Sequence, residues 1–102
     1  MSKVCVFIDT EVDEQHFDAY FENMCRHART SLAEDKGCER FDIAVPTRNN
    51  RNRVLVYEVW ASKEDLATHS ESEHTAQHRQ RTEGQTTGRK LTICTLSEGG
   101  QG

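Results

Sequence analysis

Arg53-Val54-Leu55-Val56-Tyr57-Glu58-Val59-Trp60-Ala61 reads as a β-strand, and its reading decides the fold. Alternation places Leu55, Tyr57 and Val59 on one face and Val54, Val56, Glu58 and Trp60 on the other, so both faces are largely apolar. Ser62 and Asp65, spaced as a capping box with Asp in place of the usual Glu or Gln, open a helix directly behind this strand. That helix lacks the expected greasy face. From Leu66, helical spacing passes through His69 and Ser70, then His74, Gln77 and Arg81, so imidazoles stand where aliphatic side chains would be buried. A polar inward face is costly in a core and natural in a pocket.

Working outward, Val4 to Ile8 is a short β-branched run that reads as a first strand, with Asp9 to Asp13 as the polar connection after it. Asp13 can cap a helix in which Phe17, Tyr20, Phe21, Met24, Ala28 and Leu32 recur at steps of three and four. Lys36-Gly37 stops that helix, because glycine takes the left-handed conformation without a Cβ clash. Arg40 to Val45 is a second strand, and the segment 46–52 is a hairpin-like loop that makes strands two and three antiparallel neighbours. A further helical piece is expected from Ser72 to Thr82, then a loop from Gly84 to Gly88 and a last strand from Lys90 to Leu96. The order β-α-β-β-α-β is that of the ferredoxin-like α+β fold, a four-stranded antiparallel sheet with its helices on one face. Helices cover one face only. The apolar second face of the Arg53–Ala61 strand calls for another sheet, and a second copy of the chain in a two-fold dimer is the simplest source.

At 102 residues and 34% hydrophobic content, the chain supports one domain, expected over 1–96, with 97–102 as a loose Gly-rich tail. A net charge of −4, with 13 basic residues scattered along the chain, gives no basic stripe and argues against nucleic acid as a partner. Neither a signal-peptide pattern nor a long apolar segment is found, so no membrane association and a cytoplasmic location are expected. Cys5, Cys25, Cys38 and Cys94 lack the paired spacing of zinc sites or redox dithiols and read as small buried hydrophobes.

His69 and His74 are the candidate proton-transfer residues, since a neutral imidazole near an inward face can exchange protons near pH 7. The competing reading for each is a partly buried histidine bonded to the backbone. His74 and His78 are four positions apart, a metal-binding spacing, but no carboxylate or cysteine stands at ligand spacing beside them and no metal is expected. His16 and His27 fall off the apolar stripe of the first helix and are expected at the surface. Glu58 is either a pocket carboxylate with a raised pKa or a partner for Arg40 or Arg53, the ion pair being the simpler reading. Trp60, at the strand end that meets the second helix, is placed to wall a pocket, and its indole N–H needs an acceptor wherever it is buried. Neither G-x-S-x-G nor a glycine-rich phosphate loop is found.

Gly37-Cys38-Glu39-Arg40-Phe41-Asp42, Val56-Tyr57-Glu58-Val59-Trp60 and the segment from His69 to His74 together resemble the antibiotic biosynthesis monooxygenase family over roughly residues 3 to 96. Asp35-Lys36-Gly37 replaces the acidic-Pro-Gly usual there, and Glu73 stands where a proline is common. The resemblance implies a dimeric α+β barrel and a pocket between sheet and helices. It also implies oxidation of phenols or quinols without flavin, metal or other cofactor, the deprotonated substrate supplying electrons to oxygen. Trp60 would stack on the ring, His69 transfer the proton and His74 stabilise the anion, while Tyr57, Glu58, Arg40 and Phe41 would contact the small-molecule substrate. A neighbouring subgroup, isomerases of a phosphorylated dione, is similar at Arg40-Phe41-Asp42 and Tyr57-Glu58, with Arg40, Arg89 or Lys90 to hold phosphate. Heme-degrading relatives use an Asn in strand one, which is missing here. A non-catalytic ligand-binding dimer is the third reading.

Overall fold

The computed structural model describes residues 2–48 and 52–97. Its elements are β1 (Val4–Val12), α1 (Phe17–Glu34), β2 (Cys38–Ala44), β3 (Arg53–Trp60), α2 (Lys63–Ser70), α3 (Glu73–Thr82) and β4 (Thr86–Thr95), with a 3-10 turn at Glu14–His16 before α1. The strands form one antiparallel sheet in the order β2-β3-β1-β4, the ferredoxin-like arrangement expected from the element order. Residues 49–51 of the hairpin-like loop and 98–102 of the expected tail lie outside the described residues.

Two strands are longer than the apolar runs predict. β1 continues through the segment read as a connection because Thr10 and Val12 remain buried in alternation with Asp9 and Glu11. Its extension pairs with the start of β4, so Gly88, read as loop, is a strand residue opposite Glu11, with a register shift between Glu11 and Val12. Gly37 has φ +82, and a Cβ there would stand 2.7 Å from Cβ of Asp65, so both conformation and close approach require glycine. Its carbonyl accepts from the Ala61 amide at 2.8 Å, which ties the start of β2 to the end of β3.

Pairing registers sort the side chains into two faces. Phe41, Glu58, Val6 and Ile93 form one row across the sheet beneath the helices, and Asp42, Tyr57, Phe7 and Thr92 form the neighbouring row on the open face. The helix-side core comprises Val4, Val6, Ile8, Val54, Val56, Phe41 and Trp60 from the sheet and Tyr20, Met24 and Ala28 from α1. Leu32, expected in the α1 stripe, is 48% exposed, and the buried position in that turn is Ser31, whose hydroxyl donates to the His27 carbonyl at 2.8 Å. On the open face Phe7 and Tyr57 pack ring to ring, with centroids 5.0 Å apart, and Phe7 is 48% exposed.

Candidate functional site

α2 and α3 owe their existence to caps rather than to apolar stripes. Ser62 accepts from the Asp65 amide at 3.1 Å and Ser72 from the Thr75 amide at 3.3 Å, each satisfying an orphan donor of a first turn. The Ser72 hydroxyl also donates to the His69 carbonyl at 2.8 Å and so fixes the joint between the two helices. The joint aims imidazoles from both helices at α1. His27 of α1 stacks on His78 with ring centroids 4.3 Å apart and lies 5.1 Å from both His69 and His74.

Asp35, the residue that ends α1, organises this cluster. Its Oδ2 lies 2.6 Å from Nδ1 of His69 and 2.9 Å from Nε2 of His74, and its Oδ1 lies 3.0 Å from the same His74 nitrogen. A carboxylate oxygen accepts, so the nitrogens that donate to it, Nδ1 of His69 and Nε2 of His74, are the ones that carry protons. Nε2 of His69 is then the basic nitrogen, and it has no protein partner among the described residues. Nδ1 of His27, His74 and His78 is buried without a hydrogen bond among the described residues. Buried polar atoms are normally paired, and this concentration of unpaired ones marks a site rather than a core.

Burial sets the charge state of the cluster. It pushes His27 down to about 2, helped by repulsion from the other imidazoles and Arg79, and His78 down to about 4, helped by Arg81 and Arg79. His69 also lies below the ordinary imidazole value, because burial outweighs the Asp35 bond that raises it. All three rings are therefore neutral near pH 7. Glu58 moves the other way, pushed up to about 7 by burial against the opposing pull of the Trp60 N–H and Arg89.

Beside the cluster a cleft of about 640 Å³ opens between the sheet and the helices, lined among others by Tyr20, Phe41, Glu58, His69, His78 and Arg89. Of the residues expected from sequence, His69, Glu58 and Phe41 line it. His74 does not line it; its ring packs 5.6 Å from that of His69 and its Nε2 bonds Asp35. Trp60 is fully buried, its ring 4.6 Å from that of His69, so it supports the imidazole and is not the exposed stacking wall expected. Among the described residues Glu58 has no ion pair: its Oε1 accepts from the Trp60 indole N–H at 2.8 Å, whereas Arg53 binds Asp9 and Arg40 binds Asp42. Tyr57 and Arg40 belong to the open-face rows, away from the cleft.

His27 corrects the surface reading most strongly, being buried at the centre of the cluster. The signal was present in the steps from Tyr20 to Met24, His27 and Ser31, all buried. His78 is buried as well. Asp35 was missed because it lies 34 and 39 positions from its two histidines, though its place two residues before the helix-stop glycine was available as a cue. The donor atoms of Asp35, His69 and His74 all lie within 4.8 Å of one another, the reach of a single cation, but the carboxylate already holds both nitrogens at hydrogen-bond distance.

The sequence profile of the antibiotic biosynthesis monooxygenase family matches residues 3–81. No protein of curated function matches closely. Among solved structures, a Nitrosomonas europaea protein provisionally called an antibiotic biosynthesis monooxygenase is similar at 22% identity and TM-score 0.84, over 92% of this chain and 89% of that one. The Mycobacterium tuberculosis protein Rv0793 is similar at 19% identity and TM-score 0.87, over 98% and 100% of the two chains. A Caulobacter crescentus protein with the same provisional description reaches TM-score 0.88 at 14% identity, over 95% and 92%. At these identities the structural likenesses establish the fold.

Proposed function

The chain belongs to the antibiotic biosynthesis monooxygenase family, and from that premise we propose that it oxygenates a small phenol or quinol bound in the cleft beneath α2 and α3. The observation that carries this reading is the Asp35–His69 pair at the edge of the cleft, a base fixed in one tautomer by a carboxylate at 2.6 Å. In the proposed reaction Nε2 of His69 takes the phenolic proton, and the phenolate ring, now electron-rich, forms a carbon–oxygen bond with dioxygen. Loss of the ring C–H proton and cleavage of the O–O bond then give a quinone and water. Dioxygen accepts four electrons, all from the substrate. His74, bonded to the same carboxylate, holds Asp35 in place rather than touching the substrate.

Oxygen uptake with 1-naphthol tests the reading. His69→Ala is expected to lower kcat by at least 100-fold, the usual scale for a positioned base; unchanged turnover would overturn the assignment. The isomerase reading keeps one supporting observation, that Arg89 and Arg79 line the cleft where they could meet a phosphate. Conversion of a phosphorylated hydroxy-dione without oxygen, lost in Arg89→Gln, would favour it.

We propose further that the working unit is a two-fold dimer formed across the open face. Phe7, Leu55 and Tyr57 there surround a shallow hollow of about 350 Å³ that a second sheet would cover.

A further inference from the structure

Glu58 has the properties of a second reacting group. It sits on the central strand β3, opposite Val6 of β1 and Phe41 of β2, is 4% exposed, and still lines the cleft. A buried carboxylate is normally matched by a cation, and no salt bridge to Glu58 is found among the described residues. Its Oε1 is fixed by the Trp60 N–H, and Oε2 has neither a protein partner nor full enclosure among them.

We propose that Glu58 is a catalytic acid, donating the proton of its carboxyl group from Oε2 to an oxygen of the bound phenol, peroxide or quinone. The proposal rests on the phenol reading of the cleft for the identity of its ligand. Lys63, Arg79 and Glu83 are charged residues of the cleft lining that exert no pull on Glu58; the groups set against it are Cys38 on β2 and Arg89 on β4, with Tyr20 and His27 of α1, His69 of α2 and His78 of α3 lining the same cleft. Only Arg89 among the groups set against it carries a charge near neutral pH, and its pull on Glu58 is weaker than the effect of burial, so the carboxyl remains largely protonated below about 7. Trp60 ties the two reacting groups together, bonding Glu58 with its N–H and packing its ring on His69.

The division of labour closes the proton balance. His69 removes the O–H proton and returns it to the peroxide oxygen, and Glu58 protonates the oxygen that leaves when the O–O bond breaks. The C–H proton lost in forming the quinone restores the carboxyl group. The two protons released from the substrate equal the two that appear in water. Environments that favour the neutral forms of a base and an acid in one cleft are those of an acid–base pair.

The test uses 1,4-naphthoquinone as probe, with carboxyl and imidazole resonances followed by NMR from pH 5 to 9. The quinone should perturb both Glu58 and His69, and wild type should bind it about tenfold more weakly at pH 8 than at pH 6, following the protonated fraction of a group titrating near 7. Glu58→Gln preserves the size and the bond to Trp60; its binding should lose the pH dependence, and its kcat for 1-naphthol should fall by about 100-fold. A response of His69 without one of Glu58, or an unchanged pH dependence in Glu58→Gln, would overturn the acid and leave the phenol reading standing. Quinone binding that perturbs neither residue would overturn both.

Discussion

The two faces of the sheet invert the usual rule of placement. Beneath the helices, four imidazoles and two carboxyl groups are packed among Val, Phe and Trp side chains, while on the open face Phe7 and Tyr57 stand in contact with solvent. Each anomaly has its own explanation. Polar groups are held under the helices by hydrogen bonds and neutral charge states, at a cost that a purely structural core would avoid. Apolar groups on the open face gain nothing from that cost and ask instead for a covering surface.

The polar face should be the easier one to break. Asp35→Ala leaves His69 and His74 buried without their shared partner and is expected to cost about 3 kcal/mol in urea unfolding. Removing His74 as well should cost much less than the sum of the single changes, because the two losses share one hydrogen-bond network. On the open face the response should be assembly rather than unfolding. Phe7→Glu is expected to convert the proposed dimer to a folded monomer in sedimentation at micromolar concentration, and a wild-type monomer would refute the covering role.

Between about pH 4 and 6.5 acid should act on the helix side, since the Asp9 carboxylate of the open face, held below its ordinary value by Arg53, is lost only in stronger acid. His78, about 4 when folded against about 6.5 when unfolded, binds its proton more readily in the unfolded chain, as does His27. The stability linked to these two rings is therefore complete above about pH 6.5 and declines as pH falls toward 4, by about 1.4 kcal/mol per pH unit for each proton so linked. Glu58 opposes this trend, since its raised folded value removes stability as pH rises from 4.5 to about 7. Thermal melts across this range should show the acid limb flattened in His78→Phe and the neutral-side loss removed in Glu58→Gln. The smallest effect is expected at Leu32, where Leu32→Gln at an exposed helix position should change stability by less than about 0.5 kcal/mol.

The fold was legible wherever periodicity was strong. Strand β3 and the polar helical region that follows it were sufficient to order the elements, because alternation and capping are local signals. The ends of β1 and β4 were not, since Thr10 and Gly88 join the sheet through each other's strand and not through their own sequence neighbours. For the site, His69 could be found from its helix, whereas Asp35 acts only after α1 and the α2–α3 joint are brought together. Trp60 and Glu58 were both identified, but their bond to each other was not, because two residues on the same face of one strand have no sequence signature for pairing. Arg40 and Tyr57 show the reverse case: their sheet register, set by β2 and β3 together, turns them away from the cleft.

Trp60 is the single tryptophan of the chain. It bonds Glu58 and packs on His69, so the protein contains its own optical gauge of the candidate site. Indole emission is sensitive to the charge of a neighbouring imidazole and to the acceptor at its N–H. Protonation of His69, ionisation of Glu58 and arrival of a quinone would each change the emission of this one residue, allowing all three events to be timed in unlabelled protein.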